Sequence, residues 1–334
     1  MKKILIAIAI LIVLAAAGAA IFAWPYIFSK AEKQATIIVT NDDTPLAQLA
    51  QAEGEEFCGR VENLLNWLEV DLSQRVAAYN VNEGDSPLDV AKTIRNFSQV
   101  GLKVTINNIR TLDQLAQRAS NRLMMTDEQL LELLKDPAFC DSLGKTPQTI
   151  AALFLPDTYE FYYAVTPRQF VNLFAAYYRK FWNEERLAKA QALGLSPDEV
   201  ATIASIVEEE TAKSDERGKV ARLYINRLRI GMKLQADPTV KFAIGDFSLR
   251  RINYEHLKFQ SPYNTYLVKG LPPGPIRLPE KATLDAVLDA PEHNYIFMCA
   301  KEDFSGYHNF SADYSQHLQN ARRYQAELNR RGIH

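Results

Sequence analysis

Ser196-Pro-Asp-Glu-Val-Ala-Thr-Ile-Ala-Ser-Ile-Val-Glu-Glu-Glu-Thr211 is the stretch from which the rest of the chain can be read. It opens as a capping box, with Ser196 at the N-cap, Pro197 at the first helical position and Glu199 three residues on. Val200, Ile203, Ile206 and Val207 recur at helical spacing and point one face at a core. At about 100° per residue, Glu210 falls beside Ile203, Ile206 and Val207. Glu209 lies nearly opposite, on the expected solvated side, and Glu208 on the flank. A carboxyl at the end of an apolar stripe is poorly solvated, which raises its pKa and keeps it protonated near neutrality. That is the state a general acid must have. The plain alternative is a frayed acidic helix end in water. Three glutamates in a last turn oppose the helix dipole, however, and cost stability without an evident structural return.

The chain around this helix has 334 residues, 47% apolar and 23% charged, a composition that excludes a disordered protein. A net charge of −2 gives no electrostatic support for nucleic-acid binding. His256, His293, His308, His317 and His334 lack paired ligand spacing, which argues against a metal site, and no pattern calls for a cofactor. Cys58, Cys140 and Cys299 are odd in number and far apart, so no disulfide framework follows. Lys2 and Lys3 precede an uncharged apolar run from Ile4 to Trp24 that continues to Phe28. About 20 such residues span a bilayer, whereas a secretory h-region is shorter. Trp24 and Tyr26 sit where an interfacial belt belongs, and the lysines favour a cytoplasmic N-terminus. The rival is a cleavable signal peptide, with Ala15-Ala-Ala-Gly-Ala-Ala20 as the small-residue site. Either reading exports everything after Ser29, and the expected place is the cytoplasmic (inner) membrane with the bulk of the chain outside.

Beyond the anchor, residues 1–30, the pattern predicts a mixed α+β fold. Ala35-Thr-Ile-Ile-Val-Thr40 reads as a strand, 44–53 and 61–70 as helices, and Val76-Ala-Ala-Tyr-Asn-Val81 as a closing strand. In the second helix Leu64, Leu65, Trp67 and Leu68 are expected to face inward. This strand-helix-helix-strand order has the plan of a LysM-like βααβ module, an analogy of order alone, within a region spanning 35–150. From 151 to 334 the character changes to aromatic runs and longer helices: one from 167 to about 193 with a single break, the Ser196 helix, one over 215–228, and one begun by Asp237 as N-cap with Pro238 first. Lys269-Gly-Leu-Pro-Pro-Gly-Pro-Ile276 is a rigid loop. The end reads as a strand at 295–299, a loop carrying Tyr307-His-Asn-Phe310, and an amphipathic helix over 312–331.

Several stretches downstream of the acidic helix pair aromatic faces with Asn, Gln and Asp, the equipment of a sugar site. Each also has a structural reading as a cap, turn or packing ring. Ala204-Ser-Ile-Val-Glu-Glu-Glu-Thr-Ala212, Ala221-Arg-Leu-Tyr-Ile-Asn-Arg-Leu228, Leu234-Gln-Ala-Asp-Pro-Thr-Val240, Tyr263-Asn-Thr-Tyr266 and Gly270-Leu-Pro-Pro-Gly274 together resemble the endolytic murein transglycosylase family, with its YceG-like catalytic domain. The likeness covers about 150–325 with five ordered motifs, and the anchor and βααβ plan extend it. The resemblance implies that Glu210, at the second acidic position of Glu208-x-Glu210-Thr211, is the catalytic residue. It departs at Ala77-Ala78-Tyr79, where family members commonly carry a glycine before the tyrosine, so sugar binding by that module is not carried over.

The resemblance further implies cleavage of the β-1,4 bond between N-acetylmuramic acid and N-acetylglucosamine within peptidoglycan glycan strands. One carboxyl would serve twice, protonating the glycosidic oxygen and then taking the C6 hydroxyl proton as a 1,6-anhydro ring closes. Gln235, Asp237, Tyr263, Asn264 and Tyr266 are the expected sugar contacts, and cell-wall synthesis enzymes the expected partners at the membrane. Tyr263 and Tyr266 have two readings, as ring faces for successive sugars or as packing under the Pro-rich loop. Asn264 likewise either bonds substrate hydroxyls or ties the loop to the protein. The competing functions are a hydrolytic muramidase pairing Glu210 with Asp237 or Glu208, and an inactive peptidoglycan-binding scaffold.

Overall fold

The computed structural model describes residues 2–249 and 251–332. In chain order the elements are α1 (Lys2–Phe28), β1 (Ala35–Val39), α2 (Ala47–Glu53), α3 (Glu55–Trp67), β2 (Ala77–Val81), α4 (Pro87–Arg95), β3 (Leu102–Ile106), α5 (Leu112–Ser120), α6 (Asp127–Lys135), α7 (Pro137–Ser142), β4 (Asp157–Phe161), α8 (Pro167–Phe181), α9 (Glu184–Leu193), α10 (Pro197–Glu210), α11 (Arg217–Arg229), α12 (Asp237–Ile244), α13 (Tyr254–Leu257), α14 (Lys281–Leu288), β5 (Phe297–Ala300), β6 (His308–Ser311) and α15 (Tyr314–Arg330). The fold is mixed α+β. The described residues form two compact units, 2–104 with 121–125 and 160–166 in the first, and 105–120, 126–159 and the residues from 167 onward in the second.

In the first unit α1 is long and apolar enough to cross a membrane, and none of its residues is buried. After it, β1 and β2 pair antiparallel with Ala35 opposite Val81 and Val39 opposite Ala77, and α2 and α3 lie between them in sequence. Alternation along β1 and β2 puts Ile37, Val39, Tyr79 and Val81 into a core with Leu49, Val61, Leu65 and Ile94. Tyr79 is fully buried, and its hydroxyl donates to Arg75 O at 2.7 Å, so the ring is a core member with a satisfied tip. The helix expected over 61–70 starts six residues earlier and turns Phe57, Cys58, Val61 and Leu65 inward. Trp67, expected inside, is 56% exposed and lies against Phe22 and Tyr26 of α1, with centroids 5.7 and 5.3 Å away.

The second unit is organised on α10. The Ser196 capping box forms as the sequence predicts: Ser196 Oγ accepts from Glu199 N–H at 3.3 Å, and Ser196 N–H donates to Glu199 Oε2 at 2.8 Å. The single apolar face does not hold, because every residue from Val200 to Glu208 is buried. The two hydroxyls among them bond backbone carbonyls. Thr202 Oγ1 donates to Asp198 O at 2.8 Å, and Ser205 Oγ donates to Thr202 O at 2.7 Å. Ile203, Ile206 and Val207 pack with Val220, Leu223 and Tyr224 of α11 and with Leu284 and Val287 of α14.

The Pro-rich loop is drawn onto this helix. Ile276 N–H donates to Ser205 Oγ at 3.0 Å, and Gly274 is required by contact, since a Cβ there would stand 2.0 Å from Gln148 O. The long helix begun at Pro167 breaks between Phe181 and Glu184 as expected. The loop expected around His308 is instead β6, antiparallel to β5 with His308 opposite Ala300 and Ser311 opposite Phe297.

Candidate active site

Glu210 closes α10, and its carboxyl projects into a cavity of about 210 Å³ lined by Tyr224, Arg227, Gln235, Asp237, Tyr266, Met298, Cys299, Ala300 and His308. Tyr224 Oη donates to Glu210 Oε1 at 2.7 Å. Among the described residues no hydrogen bond uses Oε2, which leaves that oxygen for a proton and a ligand. Desolvation lifts the Glu210 pKa to about 7, against the opposing pull of the Tyr224 bond; Asp237 adds to the lift, while His308 and Arg227 reduce it.

The neighbouring glutamates are held quite differently. Glu208 Oε2 accepts from Glu280 N–H and Thr283 Oγ1, each at 2.8 Å, and Arg277 pairs with Glu208 Oε1 at 3.0 Å. Glu209, placed on the solvated side by helical phase, is not solvated. Arg110 grips it with Nε at 2.9 Å and Nη2 at 3.1 Å, and Arg277 Nη1 lies at 2.8 Å. These guanidinium groups supply the positive charge that an acidic helix C-terminus otherwise lacks. Neither Glu208 nor Glu209 lines the Glu210 cavity.

Three of the five expected sugar contacts share the cavity with Glu210: Gln235, Asp237 and Tyr266. Gln235 has φ of +49°, uncommon for a residue with a side chain, and its N–H donates to Thr265 O at 3.2 Å. Asp237 is the first residue of α12 rather than its N-cap, a place taken by Ala236, so its carboxylate is free of capping and accepts from Tyr266 Oη at 2.6 Å. The other two contacts lie elsewhere. Tyr263 stacks obliquely on Phe242 at 4.8 Å and, with Pro275, lines a separate cavity of about 260 Å³ beside Arg110 and Lys135.

Asn264 is fully buried and holds the loop rather than the cavity wall. Its Nδ2 donates to Leu257 O at 3.0 Å and Phe259 O at 2.8 Å, and its Oδ1 accepts from Tyr266 N–H at 3.0 Å. Its amide is committed because the turn from 257 to 266 has carbonyls that no regular element satisfies. The Pro-rich loop also lines the neighbouring cavities, through Pro275 and Ile276, and not the one holding Glu210.

Tyr224, Arg227 and His308 also line the cavity; the first two fall within the Ala221–Leu228 motif and His308 within the Tyr307–Phe310 stretch, but none was expected as a site residue. Tyr224 reads from its spacing as a core residue, which it also is at 1% exposure. The available signal was Arg227, three residues on and so on the same helical face, a charge at an inward position. Arg227 Nε donates to Ile296 O at 2.7 Å, and the guanidinium also holds Leu234 O. Burial pushes the Cys299 thiol up, away from the thiolate a nucleophile needs.

Residues 49–323, most of the chain including this cavity and both helices that build it, match the YceG-like family. The chain belongs to the YceG-like family. Among curated relatives of this YceG-like chain, the endolytic murein transglycosylase of Bacillus subtilis is 27% identical over 240 residues, covering 67% of this chain and 66% of that one. The endolytic murein transglycosylase of Streptococcus pneumoniae D39 is 25% identical over 252 residues, covering 66% of this chain and 46% of that one. The chain thus spans less than two-thirds of the length of either relative. A crystal structure of a YceG-like protein from Listeria monocytogenes shares the fold, with a TM-score of 0.57 at 23% identity over 86% of this chain and 99% of that one.

Proposed function

We propose that this chain is a membrane-anchored endolytic peptidoglycan lytic transglycosylase with Glu210 as its general acid. The observation that carries the reading is the state of Glu210: a carboxyl whose pKa is lifted to about 7, bonded through Oε1 to Tyr224 and open through Oε2 to a polar cavity. A proton on Oε2 passes to the glycosidic oxygen as the bond to C1 of muramic acid breaks and oxocarbenium character develops at C1. Attack of the C6 hydroxyl on C1 then closes a 1,6-anhydro ring, and the hydroxyl proton leaves to a base in the cavity, Glu210 itself where one carboxyl serves twice. Gln235, Asp237 and Tyr266 bond the sugar hydroxyls. The relatives named endolytic murein transglycosylases support the substrate class, peptidoglycan glycan strands cut internally.

α1 supports anchorage in the cytoplasmic membrane with the rest of the chain on the outer face, where cell-wall synthesis enzymes meet the same substrate. The βααβ order and antiparallel pairing of β1 with β2 support a LysM-like module. Salt-washed membranes should retain the full-length chain; a shorter soluble product beginning near Ala20 would reassign α1 as a cleaved signal.

Hydrolysis is the second reading, because Asp237 shares the cavity and is a second carboxylate in place to activate water. Mass spectrometry of purified glycan strands digested by the full-length protein in detergent separates the outcomes. Internal cuts ending in 1,6-anhydro-muramic acid are expected. Reducing ends would favour hydrolysis, and uncut strands would leave only a binding scaffold.

A further inference from the structure

His308 opens β6 and lines the same cavity as Glu210, with its side chain 15% exposed. Behind the ring stands Glu216, itself 5% exposed. His308 Nδ1 lies 2.8 Å from Glu216 Oε2, and the His308 backbone N–H donates to Glu216 Oε1 at 2.8 Å. Glu216 Oε2 also accepts from Thr211 Oγ1 at 3.1 Å. Thr211 directly follows Glu210, so these bonds tie the end of α10 to His308 through one carboxylate.

A carboxylate only accepts, which makes Nδ1 the proton-bearing nitrogen of the ring. Nε2 of the neutral ring then carries a lone pair, and among the described residues no hydrogen bond uses it. A base in the cavity, oriented from behind by a third group, is the arrangement that activates a hydroxyl nucleophile. The carboxylate behind it also stabilises the imidazolium formed when Nε2 takes a proton.

We propose that His308 Nε2 accepts the proton of the substrate C6 hydroxyl during ring closure. The inference rests on the transglycosylase reading and deepens it. Glu210 Oε2 gives its proton to the leaving glycosidic oxygen as the C1–O bond breaks. The O6 lone pair forms the new bond to C1, and the O6 proton passes to Nε2. Transfer of that proton from the imidazolium to the Glu210 carboxylate restores both groups, so the cycle balances without added acid or base. Glu216 is a positioning residue in this scheme, acting through the ring.

A purely structural His308, pinning β6 to Glu216, would affect stability but not which nucleophile reaches C1. The test is the ratio of 1,6-anhydro to reducing ends released from isolated glycan strands by the full-length protein in detergent. For His308→Ala, turnover should fall about 10²-fold, and the share of reducing ends should rise roughly fivefold or more as water competes for C1. Glu216→Gln, which keeps the ring, should move the ratio the same way by less, and supplies the measurement if His308→Ala is too slow to score. The ratio is independent of how much enzyme is folded. A wild-type ratio in the variants overturns the proposal whatever their turnover. Wild-type protein releasing no anhydro ends would overturn the transglycosylase reading itself, and this shows before any variant is compared.

Discussion

Tyr224 donates its hydroxyl to Glu210 Oε1 at 2.7 Å, joining the middle of α11 to the last residue of α10. The bond favours the ionised carboxyl and so holds the Glu210 pKa below where desolvation alone would put it. It also receives the charge that appears when Glu210 gives up its proton. Tyr224→Phe should therefore do two things. The alkaline limb of activity, set by loss of the Glu210 proton near pH 7, should move to higher pH. Turnover on glycan strands should fall about tenfold or more, the value of a hydrogen bond to a charged group. A pH–rate profile measures both, and an unmoved limb with unchanged turnover refutes the role.

Glu210→Gln removes the proton altogether, and cleavage should drop by about 10²–10⁴-fold or more. The same change should stabilise the protein in alkali. Glu210 has a folded pKa of about 7 against an ordinary 4.5, so the folded state holds the proton more tightly than the unfolded chain. That stability is fully present below pH 4.5 and is lost as the pH rises through about 7. Glutamine is neutral throughout and escapes the loss. Thermal melts should place the variant level with wild type near pH 4 and above it at pH 8, by on the order of 2 kcal/mol. A variant no more stable at pH 8 than at pH 4, relative to wild type, contradicts the assignment.

What the sequence made readable was local. The capping box at Ser196 depends on residues three apart, and the structure has it, as it has a single break in the helix begun at Pro167. The phase of α10 likewise brought Glu210 to the cavity. What stayed hidden depends on partners distant along the chain. Arg110 and Arg277 reach Glu209 from 99 and 68 residues away, and no periodicity signals either. β6 is a strand because β5 pairs with it, on four residues too few to show alternation. Asn264 reads equally as a sugar contact or a turn brace until the carbonyls of Leu257 and Phe259 are placed beside it.

Glu209→Gln should be costly to the fold. Its side chain is 17% exposed between two guanidinium groups, and the amide would leave Arg110 without a counter-charge and Arg277 with Glu208 alone. Loss of about 1–3 kcal/mol is expected in thermal or chemical unfolding. Turnover per folded molecule should stay within about an order of magnitude, since an acid/base residue would account for 10²–10⁴-fold. Cleavage lost as completely as in Glu210→Gln, with normal melting, would mean that Glu209 takes part in the chemistry.

Asn264 tests where the substrate wall ends. Its amide satisfies two carbonyls and one backbone N–H in the turn that carries Tyr266 to Asp237. Asn264→Ala leaves all three without that partner in a site closed to water, and each buried group left unpaired costs about 1–3 kcal/mol before relaxation. The melting temperature should fall by several degrees, at roughly 2–4 °C per kcal/mol for a unit of this size. Turnover per folded molecule should hold or decline modestly, because Tyr266 and Asp237 remain in the cavity and only their support is loosened. Melts read beside turnover on isolated strands decide between a brace and a sugar contact. An unshifted melt with greatly reduced turnover would return Asn264 to the substrate, and with it the loop from 257 to 266 as a wall of the binding cleft.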